Sequence, residues 1–321
     1  MTFREFRLFA CCLVVITACG FSFAEETPPS FPGAEGPGAH TPGGRKGKVY
    51  LVTTLEDYLP QKEQPISGSL RLAIESKGPR IVVFRVGGYI DLKANLTIEN
   101  PYITIGGQTA PGDGICLRNY EFGIGKTHDC IVRYIRSRPG DHTSKPGDLD
   151  AITIWDSKNI MIDHCSAMWS TDDCLSVTHG STDVTVQWCI IAEALTDHSH
   201  GSLIGSSKGG RICFHHNLYA NNRSRNPRPT AYPNSPGPLI DFRNNVIYNW
   251  SGVAGYTGSD NSNEKEPVVM NYVGNYLKLG PSAPKRDDVR TAAFIIYKGA
   301  EIKIYVADNV FELNGLPFRH R

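Results

Sequence analysis

The chain has 321 residues, 40% of them apolar, with 33 basic against 32 acidic side chains and no long charged or low-complexity run. Near-neutral charge argues against a nucleic-acid binder, which usually carries a basic excess. The length and even composition predict one large domain over residues 25–321, with no stable protein partner implied and a monomer expected.

Residues 1–24 carry Arg4 and Arg7, run apolar from Leu8 to Ala18 and end in Ser22-Phe23-Ala24, the layout of a secretory signal peptide. The apolar run is too short to span a bilayer. Ile16-Thr17-Ala18-Cys19 also resembles a bacterial lipobox, so two forms stay open: a secreted, soluble protein and one lipid-anchored through Cys19. Export permits disulfides. Cys116, Cys130, Cys165, Cys174, Cys189 and Cys213 follow the leader, none in a CxxC or zinc spacing, and buried thiols and bridges both fit. Pro/Gly-rich Thr27–Gly47 reads as a lead-in segment.

Short β-rich runs then recur between Gly, Asn, Asp and Ser: Ile81–Arg85, Tyr102–Ile105, Ile131–Ile135, Ile152–Trp155, Ile160–His164, Val184–Ile191, Ile212–Asn217, Leu239–Ile247, Val268–Tyr276 and Ile302–Phe311. Only Leu70–Ser76 has a helical apolar stripe. The fold class is all-β.

Several runs share one grammar, a strand ending in Asn or Cys and then another apolar residue. Aligning Cys165, Cys189, Asn217, Asn245, Asn275 and Asn309 gives intervals of 24, 28, 28, 30 and 34 residues. A sandwich has no reason to repeat one polar residue over so long a period. A stacked coil does, because an Asn at each inner bend can satisfy the Asn above and below it. Uneven intervals then mark loops of different length leaving fixed corners, where a solenoid builds its site.

Polar residues crowd between Lys145 and Arg228. Asp148, Asp150, Asp172 and Asp173 suit a hard cation with oxygen ligands, calcium being the extracellular choice; turn capping and solvation are the plainer reading of the same residues. NRSRNPRP at 222–229 packs Arg223, Arg225 and Arg228 together and fits a phosphate patch, a solvated loop or part of an active site. Two carboxylates could also serve as acid and base in glycoside hydrolysis, which leaves the arginines idle. A surface polysaccharide binder is the non-enzymatic alternative.

IDHCSAMWSTDDCLSV, FHHNLYANNRSRNPRP and LIDFRNNVIYNW, preceded by GPRIVVFRVGGYIDL and TIGGQTAPG, resemble the pectate lyases of polysaccharide lyase family 1, from about Phe31 to about Lys285. The resemblance implies a right-handed, single-stranded parallel β-helix, a calcium cofactor and β-elimination of polygalacturonate. It implies that Arg225, in the RxP match Arg225-Asn226-Pro227, abstracts the C5 proton. It places Asp150 and Asp172 as calcium ligands, with Asp148 auxiliary, and puts Ser176 where a third carboxylate is expected. Asp173 is the substitute, although on a regular strand it would point the other way. The family's second arginine falls on Thr230, leaving Arg228 as the candidate substrate clamp. A substrate-binding lysine has no match, and His198 or His200 sits nearest.

A pectin lyase acting on methylated substrate would need no calcium and leaves the carboxylates unexplained. His164, His215 and His216 read as strand histidines. Trp169 fits either a sugar platform or a buried aromatic, while Tyr248 and Trp250 read as packing against the next coil.

Overall fold

The structure, a computed structural model, describes residues 27–141, 149–195, 198–232, 234–258, 266–297, 300–313 and 316–320. Asp148, the leader 1–24 and Cys19 lie outside the described residues.

Three sheets run along the molecule, two of ten strands and one of six, and their strands pair in parallel with the equivalent strand about 20 to 35 residues away, except Leu316–His320, which pairs antiparallel with Asn309–Leu313. One coil shows the repeat. Lys158–Asp163 lies in the first sheet, His164 turns the corner, Ser166–Met168 joins the second sheet and Leu175–Thr178 the third, after which Thr182–Gln187 returns to the first. The protein is therefore a parallel β-helix.

Inward side chains stack in columns because the register is strict. Ile103, Cys130, Ile160, Val184, Ile212 and Ile240 follow one another in the first sheet, all buried. Each fully buried aliphatic side chain contributes about 1.5–3 kcal/mol, and one core cluster runs from Val52 to Phe311. The short helix Leu70–Glu75, capped by Ser69, covers part of this core with Leu70, Ala73 and Ile74.

The expected asparagine register is present. The Nδ2 groups of Asn217, Asn245 and Asn275 donate to Oδ1 of the next Asn at 3.0, 3.1 and 3.0 Å, ending at Asn309. Each also donates to a backbone carbonyl, of Val186, Phe214 and Phe242 respectively. Cys189 precedes the ladder in register, its N–H donating to Asn217 Oδ1 at 2.9 Å. All four Asn are buried and satisfied.

Several expected strands need correction. Ile131–Ile135, Val184–Ile191, Leu239–Ile247, Val268–Tyr276 and Ile302–Phe311 each fall on two strands in different sheets. A residue in the left-handed region breaks each run: Tyr134, Trp188, Asn244, Gly274 or Asp308. An apolar run hides this bend because the residues on both sides of it face the same core. His164 and His216 occupy the equivalent corner, so only His215 of the three histidines lies in a strand. Trp250 is fully buried and meets Phe311 edge-on at 5.8 Å, as packing requires.

The six cysteines are all buried free thiols. The lead-in segment crosses the outer face of the first sheet. Glu35 N–H donates to Gln187 Oε1, Gly38 N–H to Thr185 Oγ1 and Gly44 N–H to Thr104 Oγ1.

Candidate active site

The loops from the second sheet to the third carry most of the expected site residues. Asp150 precedes the strand Ile152–Trp155, Asp172 and Asp173 precede Leu175–Thr178, His198 and His200 precede Leu203–Gly205, and Arg225 precedes Arg228–Thr230. Parallel bridges run Asp173 to His200 to Ser224, so four successive coils bring these groups to one face.

One oxygen of each of Asp150, Asp172 and Asp173 lies within 4.8 Å of the others. Asp150 Oδ1 accepts the N–H of Asp173 at 3.0 Å, which ties the two coils. Asp173 is a single bridge residue between bends at Asp172 and Cys174 rather than part of a regular strand. That is why its carboxylate joins the cluster, against the alternation that would have turned it away. Ser176, at the place of the expected third carboxylate, is buried, accepts the N–H of Leu203 at 3.2 Å and hydrogen-bonds Asp173.

Arg225 closes the cluster. Its Nη1 lies 3.0 and 2.9 Å from the two oxygens of Asp173 and 3.7 Å from Asp172 Oδ1. It also hydrogen-bonds Tyr256, whose ring lies 5.3 Å from the guanidinium carbon of Arg228. The Nε atoms of Arg225 and Arg228 are buried without a hydrogen-bond partner among the described residues. Exposed His198 lies 3.5 Å from Asp172 Oδ1, and His200 Nδ1 is 2.9 Å from Ser224 Oγ.

Burial raises the Asp150 carboxyl well above the usual range, and the negative Asp173, Glu121 and Asp172 push it further. Burial likewise lifts Asp173 to about 6, against the opposing pull of Arg225. Burial resists the charge on Arg225, yet Asp173, Tyr256 and Asp172 outweigh it and hold the guanidinium more firmly protonated than usual. His200 is pushed down to about 3 by burial and by the cations Arg225, His198, Arg223 and Arg228, so it is neutral.

Sequence reasoning missed two neighbours. Glu121, one coil before Asp150, accepts the Asp150 N–H and is pushed up to about 7 by burial. Tyr256 sits in a two-residue strand. Neither lies in a patterned run, and their only signal is coil register. Trp169 is exposed, its Nε1 3.3 Å from Glu193 Oε2, so the buried alternative for it falls.

Fold and site define a parallel β-helix with a carboxylate cluster of hard oxygen donors set beside a part-buried arginine. No family model matches the chain. It is 42% identical over 288 residues to the probable pectate lyase C of Aspergillus terreus, a match that covers 89% of this chain and 62% of that protein. The chain thus spans about 62% of the length of the curated relative. The cedar pollen allergen jun a 1 shares the fold with a TM-score of 0.58 at 21% identity, over 84% of this chain and 82% of that one. A Bacillus sp. N165 pectate lyase, solved in complex with trigalacturonate, gives 0.58 at 16% identity over 87% of each chain. The chain is a homologue of the pectate lyases and has their parallel β-helix fold.

Proposed function

We propose that this protein cleaves (1→4)-α-D-galacturonan by β-elimination, as an exported, calcium-dependent pectate lyase yielding 4,5-unsaturated oligogalacturonides. The observation that carries the reading is the convergence of Asp150, Asp172 and Asp173 beside Arg225 on a chain homologous to proteins named pectate lyase.

The residues fit the metal. Three carboxylates meeting within 4.8 Å, two of them held above their ordinary pKa by burial and by neighbouring carboxylates, suit a divalent cation with oxygen ligands. Asp150, Asp172 and Asp173 would hold it. Calcium, when bound, withdraws charge from the substrate carboxylate and favours an enediolate.

The remaining chemistry belongs to the protein. The C5 proton lies α to the uronate carboxylate, and its removal with cleavage of the C4–O bond leaves the 4,5 double bond. Arg225 is the proposed proton acceptor. Arginine is a poor base, with a pKa above about 12, and the pair with Asp173 makes it poorer. An Asp173 carboxylate turned toward a cation no longer neutralises Arg225, and the guanidinium proton is then held less firmly. Arg228, whose buried Nε has no partner among the described residues, is the proposed clamp for a neighbouring uronate. His200, kept neutral, is a hydrogen-bonding group in place of a cationic lysine, and exposed His198 lines the same rim.

A glycoside hydrolase places its carboxylates about 5 Å or more apart on either side of the bond. Here three carboxylates gather on one side beside Arg225, which a hydrolase would leave idle. The test is incubation with polygalacturonate while near-ultraviolet absorbance is followed, with calcium and then with chelator. Absorbance that rises with calcium and stops with chelator supports the reading; no rise on any uronate polymer overturns it.

A further inference from the structure

The outward face of the third sheet carries an unassigned aromatic feature on the coil of Asp150 and the coil before it. In the strand Phe122–Gly125, Phe122 and Ile124 point into the core and Gly123 and Gly125 point out. Neither glycine has a positive φ. Their backbone is open to any residue, and two glycines inside one strand weaken it by roughly 0.5–1 kcal/mol each relative to alanine.

The indole of Trp155 accounts for them. Trp155, on the next coil, pairs in register with Gly125, and its six-membered ring leans across both glycines. A Cβ at Gly123 would lie 2.8 Å from Cζ3, and one at Gly125 would lie 2.1 Å from Cζ2. One face of the ring therefore rests on bare strand backbone. The side chain is half-buried, and among the described residues no ring or cation stacks on it and its indole N–H has no partner. Thr97, Thr153 and Thr178 occupy neighbouring register positions. A tryptophan needed only for packing has no use for a flat bed of glycines that leaves its other face open, whereas a sugar platform requires it.

We propose that this open face is a distal subsite that stacks against the C–H face of one galacturonate ring of the same polysaccharide. The inference rests on the pectate lyase reading above. The strand carrying Arg228 is four strands from Phe122–Gly125, about 19 Å at the usual strand spacing. The subsite therefore engages chains long enough to reach from Arg228 to this strand and misses shorter ones bound beside Arg225 and Arg228.

The test compares wild type, Trp155→Ala, Trp155→Phe and Gly125→Ala on polygalacturonate and on trigalacturonate, with calorimetric binding of polygalacturonate to each. In Gly125→Ala the new methyl lifts the ring while the indole is kept. The proposal expects KM and Kd for polygalacturonate to rise about five- to tenfold in Trp155→Ala and Gly125→Ala. Trp155→Phe should fall between them and wild type, kcat should hold, and trigalacturonate should be unaffected. Unchanged polymer KM and Kd, or equal losses on polymer and trimer, overturn the subsite. An inactive wild type whose polymer binding still weakens in Trp155→Ala refutes the lyase reading and leaves the subsite standing. Should Trp155→Ala fail to fold, the other two variants decide by the same criteria.

Discussion

Arg225 Nη1 lies within 3.0 Å of both carboxylate oxygens of Asp173, a residue 52 positions earlier that the stacking of coils places opposite it. The same carboxylate belongs to the proposed cation cluster. Occupation of the cluster and the protonation of Arg225 are therefore linked through one side chain.

Arg225→Lys keeps the charge but moves the proton acceptor. We expect kcat on polygalacturonate to fall about 10²–10⁴-fold with KM changing far less, measured by absorbance of the unsaturated product. Intact kcat would remove Arg225 from the chemistry.

Calcium at about 100 times its Kd should stabilise the protein by about 2.7 kcal/mol, a rise of about 4 °C in Tm for a chain of this size. Chelator should reverse the shift, and Asp172→Asn should abolish most of it. Differential scanning calorimetry with and without calcium reads this apart from activity.

Stability should fall with acid through His215. Burial and the nearby Arg243 and His216 push its pKa from 6.5 down to about 4. The unfolded chain therefore binds a proton that the folded chain refuses between those values, so the stabilisation present above about pH 6.5 is lost as pH falls toward 4. His215→Phe should flatten that part of the profile in urea titrations.

Asn245→Ala leaves the Asn217 N–H and Nδ2 without their shared acceptor inside the core. A loss of about 2–4 kcal/mol is expected from the orphaned groups and the cavity, read as a lowered denaturation midpoint with the calcium response intact.

Burial pushes the Cys130 and Cys174 thiols up to about 12, and all six cysteines are unbridged. Reductant should leave Tm unchanged, and a thiol reagent should label the native protein only after denaturation.

The coil register was legible in the sequence because the asparagines must stack to be satisfied, so their spacing repeats. Asp150, Asp172, Asp173 and Arg225 were legible as a group for the same reason. The corners were not, since Trp188 and Asn244 interrupt strands whose apolar pattern continues past them. Glu121 and Tyr256 reach the site through lateral stacking alone. The bends on either side of Asp173 that break the strand there are equally invisible, because strand alternation predicts the opposite direction.

The lead-in segment touches Thr104 at one end and, through Glu35, Gln187 and Arg243 at the other. Those contacts lie on strands of the first sheet five steps apart. A stack whose coils meet only their neighbours can unzip from either end, one rung at a time. Here a single strip of chain clasps non-adjacent rungs, so amides from Thr104 to Arg243 should exchange together in a single opening event, and the clasp should raise the cooperativity of the middle coils above that of the coils beyond it.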